Sequence, residues 1–527
     1  MSMNSGFQPH RSKMLAFVLV LMMSFSLALT GASAEGVQVP ELVLGIVYDV
    51  STLTPWDSAT SGRLNLMQTL YEYMAYYDAS QPSGLNGILM ESYEKLDVFT
   101  SRVKIYDYIY DSAGNHMTAD DVVFSFETWK GNGKSVKCKL LESVTAVDEY
   151  TVDIKLNADT VGDVENMLCG LVPIVTKAAY EASDDNMYAH VVSTSPYIVT
   201  EFVEGDHITV VKNENYWQTD ASKRAPMAAA NVDKITFKII TETAQTSINL
   251  ETNVVDAIAC MPSSEVGRFE SNADYSVQSF GGSNFGWITF NMDPAEGMFY
   301  DNLELRQAIC YAIDTAALSI GAFGGRSQIP HAYANPECVD YNPEWDTQNY
   351  YDADIAKAKE LLAASGFDTS NTIRLMYTSG AAAKNSATII QSFLLQLGLK
   401  VELLGYESAL FQTYKTEPAQ WDVILDEVQS VDFVTSAASK FDNRNPAINF
   451  IQDDYLQEMV LNIMTNDGHT AENVETYMNY LKENCLVYAI YRADTSYIAE
   501  KGISSVYYNF KGWPVPGAFE FTEDFTR

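Results

Sequence analysis

Apolar positions along the chain switch repeatedly between a period of two and a period near 3.6, and the alternation predicts an α/β protein. ELVLGIVYDV, from Glu41, is apolar and β-branched, as a strand is; after Thr54-Pro55 the spacing lengthens through Leu66, Leu70 and Met74, as in a helix. TADDVVFSFETW offers Thr118 as an N-cap, Asp121 at the third helical position, and Val122, Val123, Phe126 and Trp129 at helical spacing. VTAVDEYTVDIKL, Val144 to Leu156, alternates as a hairpin does, and LVPIV at Leu171 continues that region. Ser193 to Trp217 predicts a strand, a turn at Glu204-Gly205-Asp206 and a second strand. Asn231 to Ile258 predicts a strand and then a helix closed near Asn253, since asparagine tolerates the left-handed backbone of a C-cap. Ile373 to Glu402 reads as strand, helix, strand.

The clearest helix is DNLELRQAICYAID, Asp301 to Asp314, just after WITFN at Trp287 to Asn291. Asp301 is expected as its N-cap, with Glu304 completing a capping box. Leu305, Ala308, Ile309, Ala312 and Ile313 form one apolar stripe, and Cys310, on the Ile309 side, is expected to be buried.

Length adds that one core cannot serve the chain: 527 residues exceed the roughly 250 to 300 at which single cores stop growing, so two or three lobes are expected. Apolar residues at 47% and charged residues at 19% exclude a disordered chain. Arg11 and Lys13 precede an uncharged run from Met14 through Leu29 and then Ala32-Ser33-Ala34, the order of an export signal cleaved after Ala34; an uncleaved membrane anchor is the alternative. Residues 1–34 hold two basic and no acidic side chains, so cleavage would take the net charge from −36 to −38. Such a surface disfavours nucleic acid and anionic membranes and favours solubility. The six cysteines lack metal-ligand spacing; Cys138 with Cys169 is the expected pair if any forms, because the two share a region.

Catalytic and cofactor motifs are missing. There is no G-x-S-x-G, H-E-x-x-H or dinucleotide fingerprint, and the six histidines never cluster, so neither an enzyme, a metal centre nor a cofactor is expected. Gly133-Lys134-Ser135 imitates the end of a phosphate loop, but Thr128 stands where its leading glycine belongs. Tyr406, Phe411 and Tyr414 are read as packing.

Several of these words, in this order, resemble the extracytoplasmic solute-binding proteins of family 5, the oligopeptide-, dipeptide- and nickel-binding group of ABC importers. The matching stretches are the TADDVVFS run at Thr118, STSPY…NENYW at Ser193 with Ser195 in place of a usual glycine, ITFKII…VVDAI with Asn253 in place of another, the Asp301–Asp314 helix, YYDADIAKAKELLAASGF at Tyr350, and LGLKVE ending at Glu402. The resemblance implies a two-lobed α/β periplasmic-binding-protein fold, type II, cluster C, with an extra inserted lobe. Expected boundaries are 35–75, 191–285 and 496–527 for the first lobe, 76–190 for the inserted lobe and 286–495 for the far lobe.

The resemblance also supplies a ligand site. In peptide-binding members a W-x-x-D-Y stretch follows a cleft strand, and its aspartate holds the ligand's α-ammonium. Asp432-Phe433 match D-Y, while Gln429 replaces the tryptophan and Asp426 stands where some members place an arginine for the ligand carboxylate. Asp432 is therefore the leading site residue, although an aspartate in a loop is more often solvated or a cap. Main-chain groups of Val428 and Ser430 are expected to pair with a peptide as an added strand. Asn284, Phe285, Gly286 and Trp287 are expected at the crossing between lobes, with glycine absorbing hinge rotation and aromatics facing the cleft or filling the core.

The implied function is capture of a small solute, chiefly short peptides, outside the cytoplasmic membrane and delivery to an ABC permease by a monomer. Rivals are a binder of nickel chelates or sugars, a sensory binding protein, and a secreted hydrolase. No cysteine lies near the expected cleavage site, so the lipid anchor of many family members is not expected.

Overall fold

A computed structural model describes residues 37–527 except 58–60, 79–80, 82–83, 283, 296, 339, 430–432, 444–450, 452 and 510–511. The expected export signal at 1–34 lies outside the described residues. Among them, no helix is long and apolar enough to cross a membrane.

Strand β1 (Val39–Ile46) buries Leu42, Val43, Leu44 and Ile46 together. Its near-continuous apolar run follows from position, since a strand covered on both faces has no polar side to present. The short pair β2 (Ala75–Tyr77) and β3 (Leu85–Gly87) leads into a separate antiparallel sheet of β4 (Met90–Lys95), β5 (Thr100–Ile105), β6 (Leu141–Asp148) and β7 (Thr151–Leu156), ordered β4-β5-β7-β6. Next come β8 (Tyr197–Val203), β9 (His207–Lys212), β10 (Val232–Ile239), β11 (Ala257–Ala259), β12 (Tyr275–Gly281), β13 (Asn284–Phe290) and β14 (Ser327–Gln328). Last are β15 (Thr372–Thr378), β16 (Lys400–Tyr406), β17 (Val423–Gln429) and β18 (Val487–Glu500). The main sheet runs β16-β15-β17-β13-β18-β11-β1-β10-β9-β8, with β12 and β14 also on β18.

Strand β18 joins the two halves of that sheet. Val487–Tyr491 pair with β13, while Asp494–Glu500 pair with β12 and Ile498–Ala499 with β11. A large apolar cluster lies on each side: one gathers β1, β8–β10 and the four-stranded sheet, and the other gathers β13, β15, β17 and the first half of β18 with their helices. Among the described residues the chain crosses between them twice, from β12 to β13 and within β18 at 492–494.

Glycine is needed at the first crossing because the second runs against it. A Cβ on Gly282 would sit 2.3 Å from the Ala493 carbonyl oxygen, and one on Gly281 would sit 2.4 Å from the Arg492 guanidinium. Arg492, only 3% exposed, donates to Gly282 O at 2.7 Å, Gln328 Oε1 at 2.9 Å and Glu337 Oε1 at 3.0 Å. Gly286, expected to absorb hinge rotation, instead lies within β13, where the Tyr491 ring occupies the space a Cβ would need, at 2.1 Å.

Most predicted elements form where the pattern puts them. Thr118 N donates to Asp121 Oδ2 at 2.7 Å, and Asn253 adopts the left-handed backbone, φ 56°, just past the helix Thr243–Glu251. The helix Leu303–Ala312 is capped one residue later than expected, not by Asp301 but by Asn302, whose Oδ1 accepts from Leu305 N at 3.0 Å. Gly133-Lys134-Ser135 is a helix exit: Gly133 is a left-handed C-cap and Lys134 pairs with Asp57. Cys138 and Cys169, the expected pair, are both unbridged and buried, and the Cys138 thiol donates to Trp129 O at 3.3 Å.

Candidate ligand-binding cleft

Antiparallel pairing of β13 with β17 brings the expected site residues together: Asn284 lies opposite Gln429, Phe285 opposite Val428, Gly286 opposite Glu427 and Trp287 opposite Asp426. On its other edge β17 meets β15 only at Val423–Leu425, so Asp426–Gln429 have no strand partner there among the described residues. Phe285, Trp287 and Val428 are buried at 1%, 3% and 4% exposure, so their side chains belong to the far apolar cluster. Trp287 and Phe285 pack edge-on to Tyr333, which also meets Phe441. Asn284 is exposed. Ser430, Asp432 and the Gln429 side chain lie outside the described residues.

Alternation along β17 sends its two acidic side chains to opposite faces. Asp426, on the Trp287 face, pairs with the buried Lys415, which caps the helix Ser408–Tyr414 at its C-terminal end. Thus Asp426 is itself held by a cation. Lys440, on the turn before Phe441, adds a second: burial, then Lys415, push its ammonium below the usual lysine range, while Asp426 opposes them. Trp287 Nε1 and Tyr333 Oη in the same wall are buried with no hydrogen-bond partner among the described residues. Glu427, on the other face, stays open to solvent although protein surrounds it; desolvation raises its carboxyl, against a 3.0 Å hydrogen bond from Tyr491 Oη. No sequence pattern marks Lys415, because it meets Asp426 only through tertiary packing beside β17. The expected packing role of Tyr406, Phe411 and Tyr414 is realised in the same place: Phe411 joins Met376, Trp421 and Ile424 in a small core against which both tyrosines pack.

Phe433 leaves β17 toward the opposite wall. Its ring lies where a Cβ on Gly162 would stand, 2.5 Å from Cε2, and meets His469 edge-on at 5.4 Å. Asp340 accepts from Val434 N at 2.7 Å and approaches His469 Nε2 at 3.3 Å. Burial alone would lower the His469 pKa, but Asp340 and the Ile463 carbonyl reverse that, so the net shift is upward. Alongside, Val161 N donates to Met464 O at 2.9 Å, Asn466 N to Asp159 Oδ1 at 3.0 Å and Lys95 Nζ to Asn466 Oδ1 at 3.2 Å. The four-stranded-sheet side is thereby fastened to the far side across the cleft mouth. Among the described residues, no group of three or more histidine, cysteine or acidic side chains is placed to hold a metal.

Two apolar halves joined by two crossings, with an open strand edge and converging charges between them, define a two-lobed binding protein of mixed α/β fold. The chain belongs to the bacterial extracellular solute-binding proteins, family 5, whose model matches residues 85–440. It is similar to a glutathione-binding protein of Pectobacterium atrosepticum, 23% identical over 374 residues and 70% of each chain. A di/tripeptide-binding protein of Pseudomonas aeruginosa is 23% identical over 58% of this chain and 59% of its own. Among solved structures, NikA of Brucella suis in complex with Fe(III)-EDTA superposes with a TM-score of 0.79 at 18% identity, over 92% of this chain and all of that one. The oligopeptide-binding AppA of Bacillus subtilis, in complex with a nonapeptide, gives 0.71 at 16%, over 93% and 100%. The family is that of the solute-binding components of ABC importers, which act outside the cytoplasm with membrane permeases.

Proposed function

We propose that this chain captures short peptides between its lobes and presents them to an ABC permease, with 35–75, 191–285 and 496–527 as first lobe, 76–190 as inserted lobe and 286–495 as far lobe. The observation that carries this reading is the open edge of β17 at Asp426–Gln429, beside the crossing. An extended peptide laid there gains main-chain hydrogen bonds common to every sequence, so affinity would not depend on particular side chains. Asp432, three positions after Gln429 in the sequence, takes the ligand's ammonium. The protein acts without catalysis, as a monomer, and is exported through the segment ending at Ala34.

Thermal unfolding against di- to pentapeptides, amino acids, sugars and metal chelates tests the reading, since a ligand that binds only the native state raises the melting temperature. Peptides are expected to stabilise the protein, and Asp432→Ala is expected to abolish the shift. Stabilisation by non-peptides alone, or peptide shifts indifferent to Asp432→Ala, would sink it.

A further inference from the structure

We propose that Cys310 and Cys485 are joined by a disulfide in the exported protein. Their Sγ atoms lie 3.3 Å apart with neither residue exposed at all. That is inside ordinary sulfur contact, and a bond at about 2.05 Å needs only an approach of roughly 1.2 Å, within the reach of side-chain rotation and a small helix shift.

Two features of the chain hold the thiols together independently of their own contact. Cys310 sits one helical turn past Arg306, whose buried guanidinium reaches the Asn484 carbonyl through Nε at 3.2 Å and Nη2 at 2.8 Å. The residue before Cys485 is therefore pinned to the helix that carries Cys310. Cys485 itself has φ 48°, in the left-handed region where glycine or asparagine is favoured.

The bond would close a loop between the helix Leu303–Ala312 and the root of β18, the strand that carries one of the two crossings. It lies wholly on the far side of the molecule, so it would brace that crossing without locking the cleft. Chemically, two S–H bonds break and one S–S bond forms. The two electrons and two protons pass to the disulfide of an oxidoreductase or small-molecule oxidant, by way of a mixed disulfide on one of the two sulfurs. Because both sulfurs are inaccessible once folded, exchange takes place before β18 docks on the helix.

Full-length protein recovered from a secreting host, unfolded in denaturant with a thiol-alkylating reagent and no reductant, and then digested, reads the state of every cysteine. The Cys310 and Cys485 peptides are expected to run as one linked species lighter by two hydrogens, with Cys138, Cys169, Cys260 and Cys338 alkylated. Alkylation of both Cys310 and Cys485, or their linkage to other cysteines, would overturn the proposal. Folded protein should resist a small dithiol until denaturant is added. Once reduced, it should melt about 5 °C lower, a shift that Cys310→Ser/Cys485→Ser reproduces without reductant. Equal melting temperatures for oxidised wild type and double variant would also count against the bond.

Discussion

Glu72 shows how one side chain can set the pH response of a lobe. It follows the helix Ser61–Leu70 and is 6% exposed, accepting from Tyr216 Oη at 2.5 Å and Trp217 Nε1 at 2.8 Å. Desolvation outweighs those hydrogen bonds and raises its pKa to about 7. A carboxyl whose folded pKa lies above its unfolded value holds its proton longer in the native state. Its contribution is full below about pH 4.5 and is lost as the pH rises through 7, amounting to about 3 kcal/mol. Denaturant melts at pH 5 and pH 8 should show that loss, and Glu72→Gln should flatten it. Gly282 is the second residue-scale case. Gly282→Ala puts a methyl group against the Ala493 carbonyl and is expected to destabilise by about 1–3 kcal/mol, measured by the same melts. Neither effect is legible in sequence: LYEYM does not say that Glu72 meets Tyr216 and Trp217, which are 144 and 145 positions away.

At the scale of elements, the cleft strand is held by an ion pair between β17 and the helix beside it. Lys415 and Asp426 have side chains 6% and 10% exposed, so removing one partner strands a charge in a dry setting. Lys415→Met should destabilise by about 3–5 kcal/mol, and Lys415→Met/Asp426→Leu should recover most of it, as chemical denaturation would show. Local signals served well for elements. The capped helix, the hairpin of β6 and β7 and the strand-helix-strand of β15 and β16 follow from periodicity and turn residues, which act within a few positions. They failed where choice was tertiary. Asp301 and Asn302 are both good caps, and Asn302 is the one that lines up with Leu305 N while its Nδ2 also donates to Ser365 O at 3.1 Å. Phe285 and Trp287 read equally well as cleft or core, because a strand pattern cannot tell which covered face is packed by Tyr333 and Phe441.

For the whole molecule, one set of contacts bridges the four-stranded-sheet side and the far side. Asp159, Val161 and Lys95 on one side meet Met464 and Asn466 on the other, and Phe433 fits over Gly162. Those contacts exist only when the lobes are together, so they bias the open–closed equilibrium and add to ligand affinity without touching the ligand. Asp159→Ala should weaken binding of a stabilising peptide by roughly 5- to 30-fold in titration calorimetry, corresponding to loss of about 1–2 kcal/mol, with the fold intact. The two-lobed plan was visible in the order of family words along the chain, but this latch was not, since 159 and 466 come together only through both crossings. Small-angle scattering of the full chain, with and without a saturating peptide that raises its melting temperature, tests the central claim most directly. Capture by closure predicts a smaller radius of gyration with peptide present, and an Asp159→Ala protein that contracts less completely at the same peptide concentration; a radius unchanged by a peptide that demonstrably binds would contradict it.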